Sequence, residues 1–180
     1  MATTIANHEI VGDGKRPEGR YHSNQIAVHW LVVSLVVFQF LTGGAMAAAM
    51  EFGYDSNAIP LAGVIYVHGI IGLSILSAML VRVFLRMRYG APPPPETESS
   101  AIQKLSRSVH YAFYATLIAM PIAGLLAVLT LWEWLGTAHG LASWLLLALA
   151  LLHVAGAAMH AFKRDGVVKR ILSGQPVRID

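Results

Sequence analysis

Eight histidines are spread along this 180-residue chain, and six of them lie in or at the edge of strongly apolar stretches. An ionisable side chain inside a bilayer is costly and rare, so it marks a functional position by default. Residues 136–164, GTAHGLASWLLLALALLHVAGAAMHAFKR, carry His139, His153 and His160. At about 100° per residue, the step from His139 to His153 leaves the two within about 40° of each other on a helix. It also separates them by about 21 Å along the axis. The shorter step to His160 keeps that residue on the same face. Two imidazoles on one face at two depths are placed to hold two stacked, metal-centred groups, provided other helices supply partners at matching depths.

Composition defines the setting. The chain is 56% hydrophobic and 13% charged, about half the charged share of a soluble domain. It has no cysteine, which excludes disulfides, thiolate-bound zinc, iron–sulfur clusters and covalent haem attachment. Four apolar runs, residues 26–50, 61–85, 108–132 and 139–162, each exceed the roughly 20 residues a membrane crossing needs. The expected fold is an all-α membrane protein, a four-transmembrane-helix bundle spanning residues 26–162. Residues 1–25, with His8, Lys15, Arg16, Arg20 and His22, read as a polar tail. They do not read as a signal peptide, because the apolar run that follows is longer than the roughly 7–15 residues of a signal core. Residues 51–60 read as a polar loop, 89–107 with Pro92 to Pro95 as a stiff linker, 133–138 as a tight turn and 163–180 as a basic tail. Pro121 should kink the third span and free the carbonyl of Leu117. Gly43 shares the His29 face at the opposite depth, and Gly72 shares the face of His68. Small residues there suit either the close approach of a flat ring or helix packing.

The charges orient the bundle. All 13 Lys and Arg residues lie on the side of the termini or at helix ends facing it, whereas the two opposite loops hold Glu51, Asp55 and Glu133 and no base. The positive-inside rule places both termini in the cytoplasm. The net charge of +3 is then a topology signal and a contact for anionic lipid, not a nucleic-acid surface.

Orientation allows the histidines to be paired by depth. His29 follows Arg20 by nine residues and His153 precedes Lys163 by ten, which puts each about 14–15 Å from a basic residue. His68 and His139 both lie near the acidic surface. The pairs His29/His153 and His68/His139 match, and each could clamp one metal between imidazoles from two helices. That is bis-imidazole haem ligation, which leaves iron no open position and suits it to passing electrons. A lone buried histidine is as readily a polar group bonded to a neighbouring helix, but two depth-matched pairs favour ligands. Zinc would want three or four clustered ligands, often with a carboxylate, and no Asp or Glu lies within a span. His110 and His160 sit at the cytoplasmic interface, where a histidine is also tolerated without a ligand role. Arg82 either snorkels to water or pairs with a carboxylate such as a haem propionate.

The stretches IAVHWLV at 26–32, HGIIGLSILSAMLVRVFLR at 68–86, the proline-rich loop, SVHYAFYATLIAMPIAGLL at 108–126 and LHVAGAAMHAFKRDGVVKRIL at 152–172 resemble the bacterial cytochrome b561 family of four-helix dihaem membrane cytochromes. The likeness covers nearly everything after residue 20 and extends to the b-type subunits of hydrogenases. It implies two b haems on His29, His68, His139 and His153, and electron exchange with the quinone pool, ubiquinone or another quinone, in the bacterial inner membrane. Candidate propionate or quinone contacts are then Arg82, His110 and His160 inside, and Trp132, Glu133 and Trp134 outside. The tryptophans equally suit an interfacial belt. Some members of the family oxidise superoxide and pass its electron to ubiquinone. A basic mouth would draw in that anion; the acidic outer loops here suit a basic periplasmic carrier such as a cytochrome c instead. Service as the electron relay of a larger redox complex is a further alternative.

Overall fold

The computed structural model describes residues 20–60, 63–94 and 98–172. Expectations for residues 1–19 (with His8), Pro95 and residues 173–180 lie outside the described residues. The described elements are all helical: α1 (Ser23–Ser56), α2 (Gly63–Tyr89), α3 (Ser100–Thr130), α4 (Glu133–Lys163) and the short α5 (Val167–Leu172). The first four are long and apolar enough to cross a membrane.

Each long helix runs past the apolar segment expected of it at one end or both, and local chemistry explains where it stops. His22 caps α1: its Nδ1 accepts the amide of Asn24 at 3.0 Å, while Gln25 Oε1 accepts the His22 amide at 3.0 Å. At the far end α1 continues through Ser56, so most of the expected loop 51–60 is helix. Polarity there signals the water layer and not a break. The break comes at Asn57, in the left-handed region (φ 49°), a conformation Asn tolerates. The chain then folds back so tightly that a Cβ on Gly53 would sit 2.8 Å from the Pro60 ring. α3 likewise starts inside the expected linker, where the Ser99 hydroxyl accepts the Ile102 amide at 3.5 Å. Pro121 lies within α3 without ending it. The expected turn at 133–138 is instead the opening of α4. The connection is only Leu131 (φ 55°) and Trp132, whose amide donates to Thr130 Oγ1 at 3.3 Å. Glu133 in the first turn of α4 suits the positive end of the helix dipole.

α1 packs on α2, α2 on α3 and α3 on α4. Val32, Ile75, Ala78, Met79, Leu117, Met120 and Leu146 form the buried core. α1, α2 and α3 supply all of it but Leu146. Leu41, Leu141, Trp144 and Phe162 point outward, as lipid-facing side chains do when water is not the solvent. α4 therefore leans on α3 but is not closely packed on α1 or α2.

Two ends can be told apart. At the basic end Gln25 Nε2 donates to the Gly90 carbonyl (2.9 Å), Trp30 Nε1 to that of Ile171 (3.3 Å) and Arg170 Nη1 to that of Pro93 (2.8 Å). These bonds tie α1, the α2–α3 linker and α5 together. At the acidic end the Tyr54 hydroxyl of α1 rests on Gly136 of α4, where a Cβ would have no room.

Candidate functional site

The histidines meet in two layers. His68 of α2 and His139 of α4 face each other near the acidic end, with ring centroids 6.1 Å apart. His29 of α1 and His153 of α4 do so nearer the basic end, at 6.3 Å. Two imidazoles bound to one metal through bonds of about 2 Å each put their centroids about 6 Å apart. Both pairs have that separation. Their residue types, two neutral-capable nitrogens and no carboxylate, suit haem iron.

The acidic-end pair is held by hydrogen bonds. His68 Nδ1 lies 3.0 Å from Thr42 Oγ1. The Thr42 hydroxyl donates to the carbonyl of Gln39 (3.2 Å), so it accepts the His68 Nδ1–H. Gln39 Nε2 in turn donates to the His68 carbonyl at 3.1 Å and lies beside Gly72. The Gln39 Oε1 is buried without a partner among the described residues, an acceptor beside the histidine layer that a bound group or water would satisfy. His139 Nδ1 donates to the Met120 carbonyl at 2.9 Å. Its ring lies in a notch at Gly124, where a Cβ would stand 2.7 Å from Nδ1. With both Nδ1 atoms donating, both Nε2 lone pairs are free to bind metal.

The basic-end pair is held by rings and charge. Trp30 stands edge-on to His29 at 5.4 Å. His110 and Phe113 of α3 stand edge-on to His153 at 5.4 and 5.6 Å. His110 Nδ1 donates to the Ser106 carbonyl at 2.7 Å, which fixes its own ring. Arg82 is close enough for its charge to act on His29, His110 and His153 together, as a counter-charge for haem carboxylates would be.

Of the ten residues singled out from the sequence, four form the pairs, and His110 and Arg82 gather around the basic-end one. His160 stands apart: Nδ1 contacts Asp165 Oδ2 at 2.6 Å and Nε2 contacts Glu98 Oε1 at 3.0 Å. Trp132 and Trp134 stack at 6.1 Å beside Glu133 and line a shallow recess at the acidic surface with Leu131, away from the histidines. Sequence reasoning missed Thr42, Phe113, Gly124, Glu98 and Asp165. Gly124 had a signal, a glycine three residues after Pro121 in a histidine-bearing helix. Gly43, expected either to admit a ring or to pack against a helix, opens onto space: a Cβ there would meet no neighbouring atom within 4 Å. The glycine that a histidine ring approaches tightly is Gly124, under His139.

Comparison with known proteins agrees with this architecture. Residues 20–174 match the family model for prokaryotic cytochrome b561. The chain is 29% identical over 159 residues to a cytochrome b562 of Cereibacter sphaeroides, covering 86% of this chain and 96% of that one. It is 28% identical over 106 residues to a probable superoxide oxidase CybB of Yersinia pestis, covering 59% and 56%. Four membrane-length helices and a match across nearly the whole described chain have one reading: the protein belongs to the prokaryotic cytochrome b561 family and is a membrane b-type cytochrome.

Proposed function

We propose that the chain holds two b haems, one between His29 and His153 and one between His68 and His139. It would carry electrons across the bacterial inner membrane between the quinone pool and a periplasmic redox partner, with both termini in the cytoplasm. The observation that carries this reading is the pair of imidazole clamps, each with the separation a six-coordinate metal needs, at two depths on α4. Bound haem supplies reversible one-electron chemistry at iron. The protein's part is to fix both ring nitrogens, exclude water from the core and set the charge around each clamp. Glu51, Asp55 and Glu133 make the outer face acidic, which favours a basic carrier such as a cytochrome c by charge complementarity.

The test is a reduced-minus-oxidised spectrum with haem stoichiometry. Two low-spin b haems per chain are expected, and one each in His153→Ala and His139→Ala. A colourless protein after haem-supplemented expression sinks the reading. A second reading, superoxide oxidation coupled to ubiquinone, is favoured by the name of the Yersinia pestis relative. Rapid superoxide-driven quinone reduction that slows with added salt would establish it. The acidic outer face argues for the carrier.

A further inference from the structure

The turn between α3 and α4 carries two exposed tryptophans and a carboxylate that the histidine layers do not use. Trp132 and Trp134 are 56% and 62% exposed, and their rings stack at 6.1 Å and 28°. Glu133 lies between them in the chain and is exposed too. The turn is held by its own backbone. The Leu131 amide donates to the Ala127 carbonyl at 3.0 Å, the Trp132 amide to Thr130 Oγ1 at 3.3 Å and the Leu135 amide to the Trp132 carbonyl at 3.0 Å. Leu135 itself is buried. A partner therefore meets a preformed surface, and little ordering opposes association.

The chemistry of the surface selects a cation. The face of an indole is electron-rich and attracts an ammonium or guanidinium group. Glu133 adds a full negative charge beside it. Glu133 is also close enough for its charge to act on Tyr54, whose hydroxyl rests on Gly136. That contact joins the end of α1 to the start of α4, so Glu51 and Asp55, both exposed, belong to the same end. No Lys or Arg lies in residues 51–60 or 131–138 to offset them. An anionic lipid headgroup is repelled by this charge, and a basic protein is drawn to it.

The surface also lies close to the outer histidine layer. Glu133 precedes His139 by six residues, about 9 Å of helix rise.

We propose that Trp132, Glu133 and Trp134 form the docking surface for a basic redox carrier, whose lysine or arginine side chains pack on the indoles and pair with Glu133. The proposal rests on the carrier reading above and deepens it by naming the contact. One electron passes between the carrier and the outer layer: one partner is oxidised by one electron, the other is reduced by one, and no bond is made or broken. Large aromatic side chains that a partner shields from water carry most of the affinity of an interface, whereas rim charges set the encounter rate. The tryptophans should therefore decide how tightly the carrier is held, and Glu133 how salt-dependent the encounter is.

The test uses the purified holoprotein in lipid nanodiscs and a commercial basic cytochrome c. Binding is measured with both proteins oxidised, so that no electron moves. Trp132→Leu with Trp134→Leu keeps the surface apolar but removes both ring faces. It should weaken binding about tenfold, within the range of desolvated cation–π pairs, at low and high salt alike. Glu133→Gln should weaken it about threefold at low salt, the scale of one exposed ion pair, and not at high salt, where the charge is screened. Glu51→Gln, on the other helix, should matter less than Glu133→Gln. The reduced holoprotein mixed with ferric cytochrome c should exchange electrons more slowly in the same order. All the variants should keep the wild-type haem spectrum, so that a loss of binding reports the surface and not the fold. A double variant that binds as tightly as the wild type, or equal losses in Glu51→Gln and Glu133→Gln, overturns the docking surface and leaves the carrier reading standing. Quenching of both tryptophans by brominated lipid with the carrier bound would likewise give the pair to the membrane, and a dimer dissolved by the double variant would give it to a second copy. A wild-type protein that neither binds the basic cytochrome c nor exchanges electrons with it overturns both.

Discussion

The two histidine layers solve one geometric problem in different ways. At the acidic end, Thr42 and the Met120 carbonyl take the outer N–H of His68 and His139, and the Gly124 notch seats the second ring. At the basic end, His29 and His153 are flanked by Trp30, His110 and Phe113 and lie in the field of Arg82. Hydrogen bonds from a ligating imidazole raise its basicity and fix its ring, whereas a nearby cation stabilises whichever state carries more negative charge. The outer layer should therefore favour ferric iron and the inner layer ferrous iron. With a haem held in each layer as proposed, that difference would make electron transfer downhill from the acidic to the basic end.

The comparison breaks most sharply at Gly124. Gly124→Ala puts a methyl 2.7 Å from His139 Nδ1 against a ring that the Met120 carbonyl holds in place. Overpacking of this kind costs about 1–3 kcal/mol. The outer haem should be lost or its low-spin resonance shifted, with the inner signal intact, as read by electron paramagnetic resonance and haem content. Thr42→Val is milder. It leaves the His68 Nδ1–H without its acceptor, a penalty of about 1–3 kcal/mol, and should raise the outer midpoint potential in a redox titration while Thr42→Ser restores it. Arg82→Gln should have the smallest effect and act on the other layer. Removing the cation should lower the inner potential and move the outer one less. Equal shifts in both layers would show that charge, and not the local bonds, separates them.

Much of this was legible in the chain itself. Histidine spacing on the last span, matched against distances from the basic residues, paired His29 with His153 and His68 with His139, and the rings do face each other. Helix rise converts residue count to depth, so depth is a local property. Helix ends were harder, because polarity at 51–60 and 133–138 marks where water begins and not where the backbone turns. Asn57 and Leu131, both in the left-handed region, mark the turns.

The sequence alone determined the four membrane-length helices, the charge asymmetry of their ends and the depth of each histidine, because these follow from composition and from a rise repeated every residue. Tertiary structure decided what lies beside each histidine. That α4 stands off from α1 and α2, that Gly124 lies under His139, that Thr42 reaches His68 and that Glu98 closes on His160 all depend on how separate helices are rotated about their axes. Rotation is set by side-chain packing between segments distant in the chain, and no local periodicity encodes it.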